Sequence, residues 1–149
     1  MITDDNSVNI DLNIVPSPCF IVDQEKIEDN LAVLDLVQQR TGAKILLALK
    51  GFAMFSVFPV LNKVLAGTCA SSIDEARLGR EEFGGEVHTF SPAYSEETLR
   101  EILAVSDHVI YNSVNQWRRF RELSRLYESK VKFGLRINPE HSETKTALY

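Results

Sequence analysis

The chain has 149 residues, 44% of them hydrophobic and 25% charged, with a formal net charge of −5. Such a composition suits a soluble globular domain with an ordinary core, and its acidic balance argues against nucleic acid as the main partner. No apolar run is long enough to span a bilayer. The acidic opening Met1-Ile-Thr-Asp-Asp-Asn6 lacks the basic start and apolar stretch of a secretory leader, and Cys19 and Cys69 form no Cys-x-x-Cys pair. A reducing, cytoplasmic compartment without a disulfide framework is the expectation, and no metal centre is read from the sequence.

In chain order, residues 1–14 have weak periodicity and read as a flexible arm. Pro16-Ser-Pro18 introduces Cys19-Phe-Ile-Val-Asp23, so 15–23 is expected to be a strand. Asp23 can cap a helix in which Ile27, Leu31, Leu34 and Val37 recur at helical spacing, with Gly42 as its terminator. Residues 44–49 are apolar and strand-like. Residues 57–65 read as a helix with Pro59 near its start. A short strand follows at 68–71. Ser72 and Glu75 form a capping-box pattern opening a helix that stops at Gly84-Gly85. Residues 86–91 are strand-like, Ser95 caps a helix through Ala104, and 108–111 is the next strand. Ser113 and Gln116 open another helix to about residue 128, and 131–137 is the last strand. The run Arg118-Arg119-Phe120-Arg121 on that helix reads as a solvated face.

Strands alternating with helices of this length mean parallel βαβ units, wound either as an open doubly wound sheet or as a barrel. No Gly-x-Gly-x-x-Gly follows any strand and no Walker loop occurs. The strand ends carry polar groups: Lys50; Ser71 and Ser72; Ser91; Asn112 and Ser113; Arg136 and Asn138. A ring of polar residues at C-terminal strand ends is where a (β/α)8 barrel builds its site. Eight units take roughly 250 residues, so the five read here make a partial barrel, with the remainder of the fold expected from a longer protein.

Lys50 ends the apolar run Ile45-Leu-Leu-Ala-Leu49 and is followed by Gly51 and Phe52. A lysine held between apolar walls is pushed toward the neutral amine that attacks an aldehyde. The plainer alternative is a lysine that snorkels to water.

Pro18-Cys-Phe-Ile-Val-Asp23, a helix containing Asn30-Leu31, and Leu46-Leu-Ala-Leu-Lys50 together resemble the opening of the alanine-racemase-like (fold type III) pyridoxal-phosphate (PLP) enzymes. Four further segments are similar to the carboxynorspermidine (carboxyspermidine) decarboxylase branch: Ala48-Leu-Lys50-Gly-Phe-Ala53, Gly67-Thr-Cys-Ala-Ser-Ser72, His88-Thr-Phe-Ser-Pro-Ala-Tyr94 and Leu135-Arg-Ile-Asn-Pro-Glu-His-Ser142. The resemblance implies that 15–23 is one strand of a separate β domain and that 24–149 is the N-terminal part of a PLP-binding barrel. It implies Lys50 as the catalytic residue and Schiff-base lysine for PLP, with Ser71 and Arg136 as cofactor-binding candidates. Ser71 has the alternative of merely ending a strand, and Arg136 that of a surface ion-pair partner. Thr68 stands where ornithine-type relatives carry an acidic residue, a departure that fits the carboxynorspermidine branch. His88 reads as a satisfied core or helix-facing histidine, Cys69 as a small buried packing residue, and nothing decides the role of His141.

The implied reaction is decarboxylation of carboxynorspermidine or carboxyspermidine to norspermidine or spermidine, a step of polyamine biosynthesis. The implied assembly is a cytoplasmic homodimer with no nucleic-acid or membrane partner. A phosphate-gripping loop, a pyridine-nitrogen partner and the dimer contacts are expected outside this chain, so the 149 residues alone are expected to be inactive. Three alternatives remain open at this stage. One is another decarboxylase or racemase of the same fold type, diaminopimelate- or ornithine-like. Another is a non-catalytic PLP-binding barrel. The third is a βα interaction domain in which Lys50 is incidental.

Overall fold

The computed structural model describes residue 11, residues 13–141 and residue 143. Helix α1 (Gln24–Thr41) begins where Asp23 accepts from the Lys26 N–H at 3.3 Å and ends at Gly42, whose left-handed φ of 70° lets its N–H reach the Gln38 carbonyl. Strand β1 (Leu46–Ala48) leads to a 3₁₀ turn (Phe55–Val57) and a single turn of helix, α2 (Phe58–Leu61). The helix expected over 57–65 is therefore cut short. Asn62 donates its side-chain amide to the Phe83 carbonyl at 3.1 Å, and the chain turns there.

Strand β2 (Gly67–Ala70) precedes α3 (Ile73–Leu78), which widens into a π turn (Gly79–Phe83) instead of running straight to Gly84. At the junction Gly79 crosses Thr68 so closely that a Cβ would lie 2.2 Å from the threonine hydroxyl. Then come β3 (Glu86–Phe90), α4 (Glu96–Val105), β4 (His108–Tyr111), α5 (Val114–Arg125) and β5 (Lys132–Leu135). Both capping boxes form, with a shift. Ser72 and Ser113 accept from the N–H groups of Glu75 and Gln116, as the pattern requires. The returning side chains, however, accept from Ser71 and Asn112, one residue before the cap.

The five strands are all parallel and lie in sequence order, β1-β2-β3-β4-β5. A doubly wound sheet needs a reversal of strand order. Successive right-handed crossovers without one place every helix on the same face. The order therefore selects the barrel between the two possibilities read from the sequence.

Burial follows the same division. Thr68, Ala70, Val87, Thr89, Val109 and Tyr111 point toward the helices and are buried. The main core lies there: Leu99, Ile102 and Leu103 of α4 pack with Val109, Tyr111 and Phe120. A second cluster joins Leu31, Leu49, Phe58 and Phe83. The alternate residues, Ala48, Cys69, His88, His108 and Lys132, lie on the opposite face, exposed or half-buried. Parallel sheets are covered on both faces in finished folds, so this bare face is the inner wall of a partial (β/α)8 barrel.

Residues 15–23, expected as a strand, pair with no strand among the described residues, and Phe20 is fully exposed. Most of the arm expected over 1–14 lies outside the described residues. No helix among the described residues is long and apolar enough to cross a membrane.

Candidate functional site at the mouth of the partial barrel

The registers align one residue from every strand in a lateral row on the inner face: Ala48, Cys69, His88, His108 and Lys132. Two residues further along, at the C-terminal ends, Lys50, Ser71 and Phe90 form the next layer. The strand period of two dictates this arrangement. Leu49 is buried against Phe58 and Leu61 on the helix side, so Lys50 must fall on the inner side. The chain turns immediately afterwards, because the N–H groups of Gly51 and Phe52 both return to the Ala48 carbonyl, at 2.9 and 3.2 Å.

Lys50 and Ser71 line one cavity of about 230 Å³. Ala48, Cys69 and Ala70 are small and leave the space open, while His88, Phe90 and Ile110 wall it. Ser71 is held by its N–H, which donates to Glu75 Oε2 at 2.6 Å. Arg136 follows β5, its N–H donating to the Tyr111 carbonyl at 2.8 Å. Its guanidinium lies 5.4 Å from the centre of the Phe90 ring. Arg136 thus touches the wall residue Phe90 and does not itself line the cavity.

Lys50 is exposed in this partial barrel, with Ala48, Ala70, Phe90 and Ile110 lining the cavity it enters. His88 is not helix-facing. It lies on the inner face and lines the lysine cavity, its Nε2 3.0 Å from Glu86 Oε2 and its ring stacked on His108 with centres 3.9 Å apart. Cys69 lies on the same inner face, exposed where the partial barrel leaves it uncovered. Partial desolvation raises its thiol pKa, with the Lys50 charge opposing, so the thiol stays protonated near neutral pH.

Thr68 points to the helix side, fully buried against Gly79, with its hydroxyl unpartnered among the described residues. It does not line the cavity that Lys50 enters. His141 is exposed, 3.7 Å from Glu143. In the basic run, Phe120 is buried and Arg121 pairs with Glu122, which leaves the solvated-face reading intact. The wall roles of His88 and Phe90 were missed in the sequence. Buried Val87 and Thr89 flank them, and the alternation of Glu86 to Phe90 was the available signal.

Glu86 carries the strongest perturbation at this face. Hydrogen bonds from Lys44 and then from His88 hold its carboxyl down at about 2. The His108 imidazole is also lowered, first by burial and then by the neighbouring His88 and Lys132.

A parallel, singly wound βα sheet with an amine at the end of its first strand is the first part of a barrel that carries its chemistry at the C-terminal mouth. Over most of its length the chain is homologous to the carboxynorspermidine/carboxyspermidine decarboxylases. It is 41% identical over 126 residues to that enzyme from Herminiimonas arsenicoxydans, covering 85% of this chain and 33% of the relative. It is 48% identical over 138 residues to the carboxyaminopropylagmatine decarboxylase of Synechocystis sp., covering 93% and 35%. The crystal structure of carboxynorspermidine decarboxylase complexed with norspermidine from Campylobacter jejuni matches with a TM-score of 0.79 at 34% identity, covering 89% of this chain and 35% of that one. No protein-family profile matches the chain. The chain spans about a third of the length of these relatives.

Proposed function

We propose that this chain forms the lysine-bearing part of a PLP-dependent decarboxylase acting on a carboxylated polyamine, of the carboxynorspermidine, carboxyspermidine or carboxyaminopropylagmatine type. The observation that carries the reading is the position of Lys50, at the end of β1 with Ser71 in one cavity, in a chain homologous to decarboxylases of such substrates. The donor set fits the cofactor at its aldehyde end. An exposed primary amine can hold an aldehyde covalently, and the cavity beside it has a planar wall in His88 and Phe90.

When bound, PLP supplies an electron sink for the carbanion left by loss of carbon dioxide. Lys50 would hold the cofactor, Ser71 would present its hydroxyl to the cavity, and Arg136 would stiffen the Phe90 wall. Phosphate and pyridine-nitrogen ligands, the β domain that 15–23 would join, and a homodimer interface are proposed to come from the other two-thirds of a protein of the relatives' length. Two free cysteines suit a reducing compartment.

The test is borohydride reduction of the complete gene product in the presence of PLP, followed by peptide mapping. A pyridoxyl adduct on Lys50 is expected, and carbon dioxide release from the three carboxylated polyamines then ranks the substrates. A folded protein with Lys50 unmodified overturns the reading and leaves a βα domain whose lysine only reaches water. An adduct without turnover of any amine favours a PLP-binding barrel with no catalytic role.

A further inference from the structure

In the inner row, Ala48 and Cys69 are too small to fill the barrel beside Lys50, and His88 is the first large side chain met along it. Its ring is tethered twice. Glu86, ionised across the neutral range by its bonds to Lys44 and His88, anchors Nε2 at 3.0 Å. His108 stacks on the ring with planes 14° apart.

These three residues bring their ligand atoms within 4.8 Å of one another, which raises the question of a metal site. Nearly parallel stacked imidazoles aim their in-plane lone pairs side by side, not at the common point that a tetrahedral ion needs. The Lys44 ammonium already occupies the carboxylate. The cluster is therefore better suited to fixing a side chain than to holding a cation.

We propose that His88 is a positioning residue for the chemistry of Lys50: it is the floor of the cavity and sets how deeply a carbonyl compound sits beside the amine. The inference rests on Lys50 being the aldehyde-binding residue. Its layer lies one strand repeat below Lys50, Ser71 and Phe90. A ligand that enters from the mouth and reaches the lysine would meet His88 next. Without that floor a ring-sized aldehyde has more than one resting depth, whereas a small aldehyde needs no floor to meet the amine.

The experiment uses the complete gene product, with borohydride trapping on Lys50 followed over time for PLP and, separately, for propanal. For His88→Ala, PLP capture is expected to slow on the order of tenfold, the scale of a reactant held slightly out of place, while propanal capture is unchanged. His88→Gln, which keeps reach and an N–H for Glu86, is expected to restore most of the PLP rate. Equal slowing of both aldehydes, or slowing of neither, overturns the floor role and leaves the lysine reading intact. A wild-type protein that traps neither aldehyde overturns the lysine reading itself, and this inference with it. If the alanine variant does not fold, Glu86→Leu, which offers the ring N–H no acceptor, releases one tether at similar volume. Selective slowing of PLP then supports the proposal, and unchanged rates for both aldehydes overturn it.

Discussion

Tyr94 joins two strand ends next to the cavity, and removing its hydroxyl tests how firmly that rim is built. The side chain is buried, and its Oη accepts from the Ser91 N–H at 2.9 Å while donating to the Ile110 carbonyl at 3.2 Å. Burial pushes its phenol up to about 12, so the O–H donor is present at any working pH. Tyr94→Phe keeps the ring and its edge-on contact with Tyr111, whose centre is 6.0 Å away, so no cavity opens. Two hydrogen bonds are lost and the Ser91 N–H loses its acceptor. A net loss of about 1–3 kcal/mol follows, the scale set by leaving the half-buried Ser91 N–H without its acceptor. Urea unfolding should show a lower midpoint with an unchanged slope. A loss under roughly 0.5 kcal/mol would mean that water replaces both bonds and that the hydroxyl does not join β3 to β4. A loss above about 3 kcal/mol would mean that the ring had moved, as in a core truncation.

Gly67→Ala should prevent folding, because a Cβ there would lie 1.9 Å from the Glu86 carbonyl oxygen in the paired strand. Its soluble yield and far-ultraviolet dichroism test this, and a wild-type unfolding midpoint would refute so close a backbone approach. Ser113→Ala removes the cap of α5 and should cost about 1 kcal/mol, read from the same urea transition. Glu86 has a folded-state pKa of about 2 against an ordinary 4.5. The depressed value means its stabilisation is complete above about pH 4.5 and lost as pH falls toward 2. Glu86→Gln should therefore lower the unfolding midpoint at neutral pH, with the difference from wild type closing across that acid window. A gap that stays constant on acidification would sink the Lys44–Glu86–His88 account.

Local chemistry determined much of this protein in advance. Asp23, Ser72, Ser95 and Ser113 cap helices because their side-chain oxygens reach N–H groups three residues on, a bond that needs no distant partner. Gly42 ends α1 because only its own φ is at stake. Lys50 falls on the inner face because buried Leu49 precedes it, and its strand-end position follows from the apolar run before it.

The decisions that failed in the sequence were all non-local. Whether His88 and Cys69 or Thr68 and Thr89 meet the helices depends on which face of the sheet is covered. That is set by the winding of five successive units, not by any strand alone. The helix of 57–65 ends where Asn62 bonds the distant Phe83 carbonyl, and the π turn lies where Gly79 crosses Thr68. The cavity itself exists only because two small residues, Ala48 and Cys69, from strands about twenty residues apart in sequence are brought into register beside His88. Hydrogen bonds to near neighbours are written in the order of residues, but which side chains share a wall is decided only when the sheet closes its registers.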